Sequence, residues 1–256
     1  MFSAAKSAIR GAVRAFGFDI ISYRRQDSLV SHLREALNLL NVNCVIDVGA
    51  HCGDYGSMLR DIGYKHRIVS FEPVMATYEH LERRASKDPL WRVERGALGV
   101  EDGIRSINVC DASNFSSFRS PNEYAKDRFG AMVSVSRVEE VPIRRLESVL
   151  DDVVAGLENP RLFLKIDTQG YDLEVLAGAG TTINRLLGIQ TEVSVKQIYD
   201  GTLGLCDSLT RLNGLGFEVT GLYPVSRDRQ LRVIEFDCVA VRSDGEGTSA
   251  HTAGAA

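Results

Sequence analysis

The stretch 44–54, Cys-Val-Ile-Asp-Val-Gly-Ala-His-Cys-Gly-Asp, narrows the folds open to this chain more than any other. An apolar run that closes on an acid and then passes two glycines four residues apart reads as a parallel strand, a tight turn and the start of a helix. Glycine suits that turn because positive φ costs it nothing and because its backbone can be approached closely. The helix that follows offers unpaired N–H groups in its first turn. In α/β proteins such a junction holds nucleotides.

From there, strand and helix patterns alternate. Strands are expected at 44–49, 67–71, 91–97, 162–167 and 186–193, and helices at 55–62, 75–86, 144–150, 171–177 and 205–215. Such alternation predicts a mostly parallel sheet with helices on both faces. Segments 217–223 and 231–241 flank a short polar turn and predict an antiparallel hairpin that finishes the sheet. Segments 104–109 and 132–143 are strand-like and enclose a polar insert, 111–130, without a clear period. A loop of that length is either functional or disordered. It is the candidate for a mobile cover over a substrate, with its run Ser113-Asn114-Phe115-Ser116-Ser117 foremost.

The 256 residues fit one α/β domain over 44–242, preceded by a helical extension, 1–43, and followed by a small polar tail, 243–256, expected to be disordered. In the extension, 28–40 predicts a helix with Leu29, Leu33, Leu37 and Leu40 on one face, laid across the sheet edge or the cofactor cleft. Residues 1–25 carry five basic side chains against the single acid Asp19, a local charge of +4 within a chain whose net charge is −4. Phe2, Ala5, Ile9, Val13 and Phe16 recur there at helical spacing. That pattern suits either an amphipathic helix on an anionic membrane surface or one packed on its own domain or on a partner subunit, including a second copy of the chain.

Acidic net charge speaks against a nucleic-acid partner. Five scattered cysteines without a Cys-x-x-Cys pair suit a reducing cytosol, and Cys44 and Cys238 sit in apolar runs as small buried hydrophobes. No run reaches the roughly 18 apolar residues of a membrane span. The expected location is the cytoplasm, with contact at the inner membrane face if the basic helix binds lipid.

Four acids, Asp47, Glu72, Asp167 and Glu192, fall at or near the carboxyl ends of predicted strands, where ligands bind in such sheets. Glu72 follows Gly49 at the spacing of an acid that accepts from both ribose hydroxyls. A dinucleotide fold would show Gly-x-Gly-x-x-Gly to seat a pyrophosphate. Here the turn runs Gly49-Ala50-His51-Cys52-Gly53-Asp54, and Asp54 at the helix start would repel a pyrophosphate but suit an amino-acid moiety with an ammonium group. S-adenosyl-L-methionine is favoured over NAD on that ground.

The run from Val45 through Gly49 and Gly53 to Tyr55, the triplet Phe71-Glu72-Pro73, Ala97-Leu98-Gly99, and Leu164-Lys165-Ile166-Asp167-Thr168-Gln169-Gly170-Tyr171-Asp172 continuing to Ala179 together resemble the FkbM family of S-adenosylmethionine-dependent methyltransferases. The resemblance covers about residues 40–240, and the Asp167 block is its most specific part. It implies a Rossmann-like, seven-stranded sheet and O-methylation, often of sugar or polyketide hydroxyls. It further implies that Asp47, Gly49 and Gly53 form the cofactor turn, that Glu72 holds the ribose, that Gly96, Ala97 and Leu98 flank the adenine, and that Ala50, His51, Pro73 and Asp167 also belong to the cofactor-binding set. His51 stands where the family more often has Asn, and Gln169 where it often has Glu, so no role that needs an acid at 169 carries over.

An alcohol that receives a methyl must lose a proton to a base within about 3 Å. Asp167 is the first candidate, with His51 and Glu192 behind it; each has an alternative as a hydrogen-bond or orienting group, and Glu192 as a partner of Lys196. Asp167 and Glu192 are also candidates to share a divalent ion. Lys165, on the same strand face as Asp167, is expected to form a structural ion pair. Tyr171 and Tyr199 are open to either a pocket role or packing. The expected activity is methyl transfer from S-adenosyl-L-methionine to a hydroxyl, most plausibly of a small-molecule or lipid-linked sugar, in glycolipid or secondary metabolism. A non-catalytic, cofactor-binding scaffold of the same fold is the alternative, and an NAD-dependent sugar enzyme is disfavoured by the missing third glycine.

Overall fold

The computed structural model describes residues 28–243 and, apart from them, Val13. The basic segment 1–25 and, save for Ser243, the tail 243–256 therefore lie outside the described residues, Val13 excepted.

The central sheet has seven strands: β1 (Cys44–Val48), β2 (Arg67–Glu72), β3 (Trp91–Arg95), β7 (Leu162–Ile166), β8 (Leu186–Ser194), β9 (Phe217–Arg227) and β10 (Val233–Arg242). Their order is β3-β2-β1-β7-β8-β10-β9, parallel except for β10, which runs antiparallel to both neighbours. The order reverses between β1 and β7, the switch point where such sheets leave a crevice. β4 (Ala97–Leu98), β5 (Gly103–Cys110) and β6 (Val135–Arg144) form a separate three-stranded sheet, order β4-β6-β5.

Alternation along the strands sorts their side chains into two layers. On one face Ile46, Val69, Leu164 and Ile189 pack with Leu146, Val149, Leu150 and Val153 of α5 (Leu146–Val153), Val175 and Leu176 of α6 (Asp172–Gly178) and Leu212 of α7 (Leu205–Gly214). On the other, Val45, Ile68, Phe163 and Val239 pack with Leu33 and Leu37 of α1 (Leu29–Leu39), Leu59 of α2 (Asp54–Asp61) and Leu81 of α3 (Met75–Ala85). Ser28 caps α1, its hydroxyl accepting from the Ser31 N–H at 3.2 Å. The first described helix thus covers the sheet face, not the cofactor cleft.

Three departures from expectation shape the site and its surroundings. The strand predicted at 91–97 ends at Arg95, and Ala97–Leu98 leaves the main sheet to pair with β6. β9 continues past Pro224 to Arg227; as the edge strand it tolerates a residue without an N–H, and Pro224 stands opposite Phe236. The insert 111–130 is folded: a 3-10 turn (Ser113–Phe115), helix α4 (Glu123–Phe129) and a second 3-10 turn (Gly130–Val133) surround a core of Cys110, Phe115, Ala125, Val133, Ile198, Tyr199 and Ile234. Arg119 ties it down, donating from Nε to the Gly170 carbonyl at 2.7 Å and pairing with Glu174.

Candidate active site

The face that carries Ile68, Val45 and Phe163 turns polar toward the carboxyl edge of the sheet. One row on, register places Ser70, Asp47, Lys165 and Gln190 side by side on adjacent strands. Trp91 Nε1 donates to Ser70 Oγ at 3.0 Å, Ser70 Oγ donates to Asp47 Oδ2 at 2.9 Å, and Lys165 Nζ stands 3.1 Å from Asp47 Oδ1, a contact of charges not aligned as a hydrogen bond. Gln190 donates to Asp237 Oδ1 at 2.9 Å. Burial alone would lower the Lys165 pKa, but Asp47 and Asp167 more than offset it and hold the ammonium charged. Asp47 is fully buried in this row. It does not line the cavity beyond, so its place in the cofactor turn is a supporting one, and Lys165 forms the expected structural pair.

Past this row opens a cavity of about 360 Å³. Gly49, His51, Glu72, Pro73, Ala97, Leu98, Asp167 and Glu192 all line it. Ala50, Gly53 and Gly96 stand behind the wall; Gly53, at φ +85°, caps α2. Gly49 has φ +73°, and a Cβ there would lie 1.9 Å from the Asp167 carbonyl oxygen. What approaches Gly49 so closely is therefore the end of β7, and the turn and Asp167 are locked together. Asp54 lies outside the cavity, exposed and paired with Arg84. It does not meet the ligand space and so does not exclude a pyrophosphate there.

The two ends of the cavity differ in chemistry. Pro73, Val74, Ala97, Leu98, Ile107 and Phe118 make one end apolar. Glu72 joins it to the turn: its Oε1 accepts from Val74 N–H at 2.9 Å and Thr77 Oγ1 at 2.7 Å, its Oε2 from His51 N–H at 2.8 Å. Burial pushes its proton affinity up, against the pull of these donors. Three lone pairs are thus used, and one on Oε2 is left for a ligand. His51, at φ +49°, bonds through Nε2 to Ser113 Oγ at 2.7 Å, and burial lowers its pKa against the pull of Asp54 and Asp167. The lowered pKa favours the neutral ring, and its Nε2 ties the turn to the insert at Ser113.

At the other end Asp167, Glu192 and Glu235 face the cavity. Gln169 links the first two, its Nε2 donating to Asp167 Oδ1 at 2.8 Å and to Glu192 Oε2 at 3.3 Å, while its Oε1 accepts from Tyr199 Oη at 3.0 Å. Asp167 Oδ2 lies 3.6 Å from Lys165 Nζ. Burial, then Asp167 and Glu235, drive the Glu192 pKa well above the ordinary range, and burial chiefly pushes Glu235 up to about 7. Lys196 does not reach Glu192 but covers the Tyr124 ring at 4.8 Å. Tyr171 packs against Phe118 and, like Tyr199, lies behind the lining.

Sequence reasoning missed Glu235, which alternates inward with Asp237 on β10, and the brace at Asp172. That buried carboxylate accepts from Thr168 N–H at 2.9 Å, Thr191 Oγ1 at 2.8 Å and Glu192 N–H at 3.2 Å, fixing the ends of β7 and β8 to each other. Its position, five residues beyond Asp167 at the first turn of α6, was the available signal. Among the described residues no group of three or more His, Cys, Asp or Glu side chains is placed to hold a metal ion, so the shared divalent ion gains no support. No described helix is long and apolar enough to cross a membrane.

The strand order, the cavity at the switch point and the acid at the end of β2 are those of a Rossmann-like sheet built to bind a ligand at its carboxyl edge. The chain belongs to the FkbM methyltransferase family, whose domain profile, "Methyltransferase FkbM domain", matches residues 47–219. It is 27% identical over 193 residues to the 2-O-methyltransferase NoeI of Sinorhizobium fredii, covering 70% of this chain and 74% of that protein. It is 27% identical to the methyltransferase sdnD of Sordaria araneosa, over 60% of this chain and 66% of that one. A further match, 27% identical, is to the AMB antimetabolite synthetase AmbE of Pseudomonas aeruginosa, of whose length this chain spans 10%. The matched domain is described as a methyltransferase domain, and the chain spans 10%, 66% and 74% of the lengths of these three relatives.

Proposed function

We propose that this protein is an O-methyltransferase that methylates a hydroxyl of a sugar, carried on a glycolipid or a related secondary metabolite. The observation that supports it best is the polarity of the cavity at the switch point: apolar walls and Glu72 at one end, Asp167 and Glu192 at the other. The apolar end and Glu72 suit the nucleoside; the acidic end suits an acceptor rich in hydroxyl donors. The relative named a 2-O-methyltransferase agrees with oxygen as the target.

Bound S-adenosyl-L-methionine supplies a methyl group activated on a sulfonium. The remaining free lone pair of Glu72 takes a ribose hydroxyl. Asp167 would accept the proton that the acceptor hydroxyl gives up as it takes the methyl group; its side chain is 37% exposed. Gln169 holds Asp167 and Glu192 apart and oriented, so alignment is built into the fold. Positioning of this kind can supply roughly 7–11 kcal/mol of the barrier. Among the described residues no Lys or Arg lines the cavity, which speaks against phosphate-rich acceptors such as nucleic acid. The charge of +4 over residues 1–25 supports presentation of the acceptor at the cytoplasmic face of an anionic membrane.

The test is incubation of the purified protein with methyl-labelled S-adenosyl-L-methionine and lipid and glycan extracts, with products read by mass spectrometry. Label on a sugar oxygen supports the reading. Label only on nitrogen or carbon contradicts it, and binding of the cofactor without any transfer would favour a non-catalytic module.

A further inference from the structure

The apolar end of the cavity contains an aromatic ring that the strand-end motifs do not supply. Phe118 belongs to the insert. After the 3-10 turn at Ser113–Phe115 the chain runs back along β5, where Asn108 and Ser117 exchange both backbone hydrogen bonds, at 2.9 and 3.0 Å. That bridge sets Phe118 beside Ile107. Both flanking residues are pinned: Ser117 Oγ donates to the Gln169 carbonyl at 2.7 Å, and Arg119 Nε to the Gly170 carbonyl at 2.7 Å.

The ring is held as firmly as the backbone. It meets the Tyr171 ring at a centroid distance of 4.9 Å and an interplanar angle of 55°. The Arg105 guanidinium lies 5.5 Å from the Phe118 centroid and 5.1 Å from that of Tyr171, and donates to Tyr171 Oη at 2.8 Å. Phe118 also packs against two separate clusters, one holding Val74, Ile107, Val109 and Val141, the other Ala97, Ile143 and Tyr171. It is the partly buried residue that closes the gap between them while still lining the cavity.

We propose that Phe118 is a cofactor-binding residue, the aromatic platform on which the adenine ring of S-adenosyl-L-methionine stacks, so that the insert serves the cofactor as well as the acceptor. This rests on the cofactor reading above. A ligand whose ribose sits on Glu72 and whose sulfonium points toward Asp167 leaves its base at the apolar end, and a flat heteroaromatic ring is the group that end can take. An aromatic side chain whose backbone is pinned on both sides loses little freedom on stacking. Base–aromatic stacking is sequence-tolerant but strong enough to be read by truncation.

Calorimetry with S-adenosylhomocysteine and with 5′-methylthioadenosine, which lacks the amino-acid half, tests this. Phe118→Ala is expected to weaken both ligands by the same factor, about ten-fold or more. Phe118→Tyr should restore binding to within about two-fold, as an aromatic ring of the same plane would. Proton NMR adds a readout that a merely structural role would not move: the adenine H2 and H8 signals of bound S-adenosylhomocysteine should be shifted upfield by the ring current in wild type and lose that shift in Phe118→Leu, which preserves bulk if the alanine variant does not fold. Unchanged affinity and unchanged adenine shifts in Phe118→Leu would overturn the proposal while the cofactor reading stands. No binding of either ligand by wild type would overturn both.

Discussion

Asp47 and Lys165 meet beneath the cavity without touching the ligand space, and Asp167 meets it without being buried. Their substitutions should therefore separate stability from chemistry. Lys165→Met leaves the Asp47 charge buried without a partner and is expected to cost about 3–5 kcal/mol, read as a lower denaturant midpoint. Asp167→Asn keeps the shape and should leave that midpoint close to wild type while single-turnover methyl transfer falls by about 100-fold or more. Gln169→Glu replaces the donor to two carboxylates by a third carboxyl and should slow transfer at neutral pH, with partial recovery as the pH is lowered enough to protonate it. Four acids at strand ends were legible because period-two alternation and strand ends can be read from one segment at a time. The difference between Asp47 and Asp167 was not, because it depends on which residue of β7 lies opposite Asp47. Asp54 failed for a related reason: its partner, Arg84, is 30 residues away on α3.

At the scale of elements, the turn after β1 is held by the end of β7. Gly49→Ala would place a methyl group 1.9 Å from the Asp167 carbonyl oxygen at a φ of +73°. It should destabilise the chain by more than about 1 kcal/mol and abolish cofactor binding, checked by thermal unfolding and calorimetry on the same sample. The insert hangs on Arg119, which reaches Gly170, Asp200 and Glu174. Arg119→Ala should speed amide hydrogen exchange across 113–133 while β1 and β7 stay protected. Alternating strands and helices were readable because each carries its own period. The insert was not: α4 has seven residues, too few to declare a period, and its order comes from Phe115, Val133 and Tyr199 packing across more than 80 positions of sequence. The same insert contributes Phe118, which no strand-end motif could have announced.

For the whole molecule, the acidic end sets a pH dependence. Glu235 titrates near 7 in the folded chain against an ordinary 4.5, so the folded state binds its proton more tightly. The stability this contributes is present below about 4.5 and is lost as the pH rises to about 7. Glu192, Glu72, Asp172 and Asp237 are raised as well and act in the same direction. The melting temperature of the ligand-free protein should thus fall across that interval, and Glu235→Gln should flatten the fall. The most direct test of the cofactor site is calorimetry with S-adenosylhomocysteine on wild type and Glu72→Ala. Binding of one ligand per chain by wild type, weakened at least about ten-fold in the variant, is the predicted result. No binding by wild type, or undiminished binding by Glu72→Ala, would contradict it.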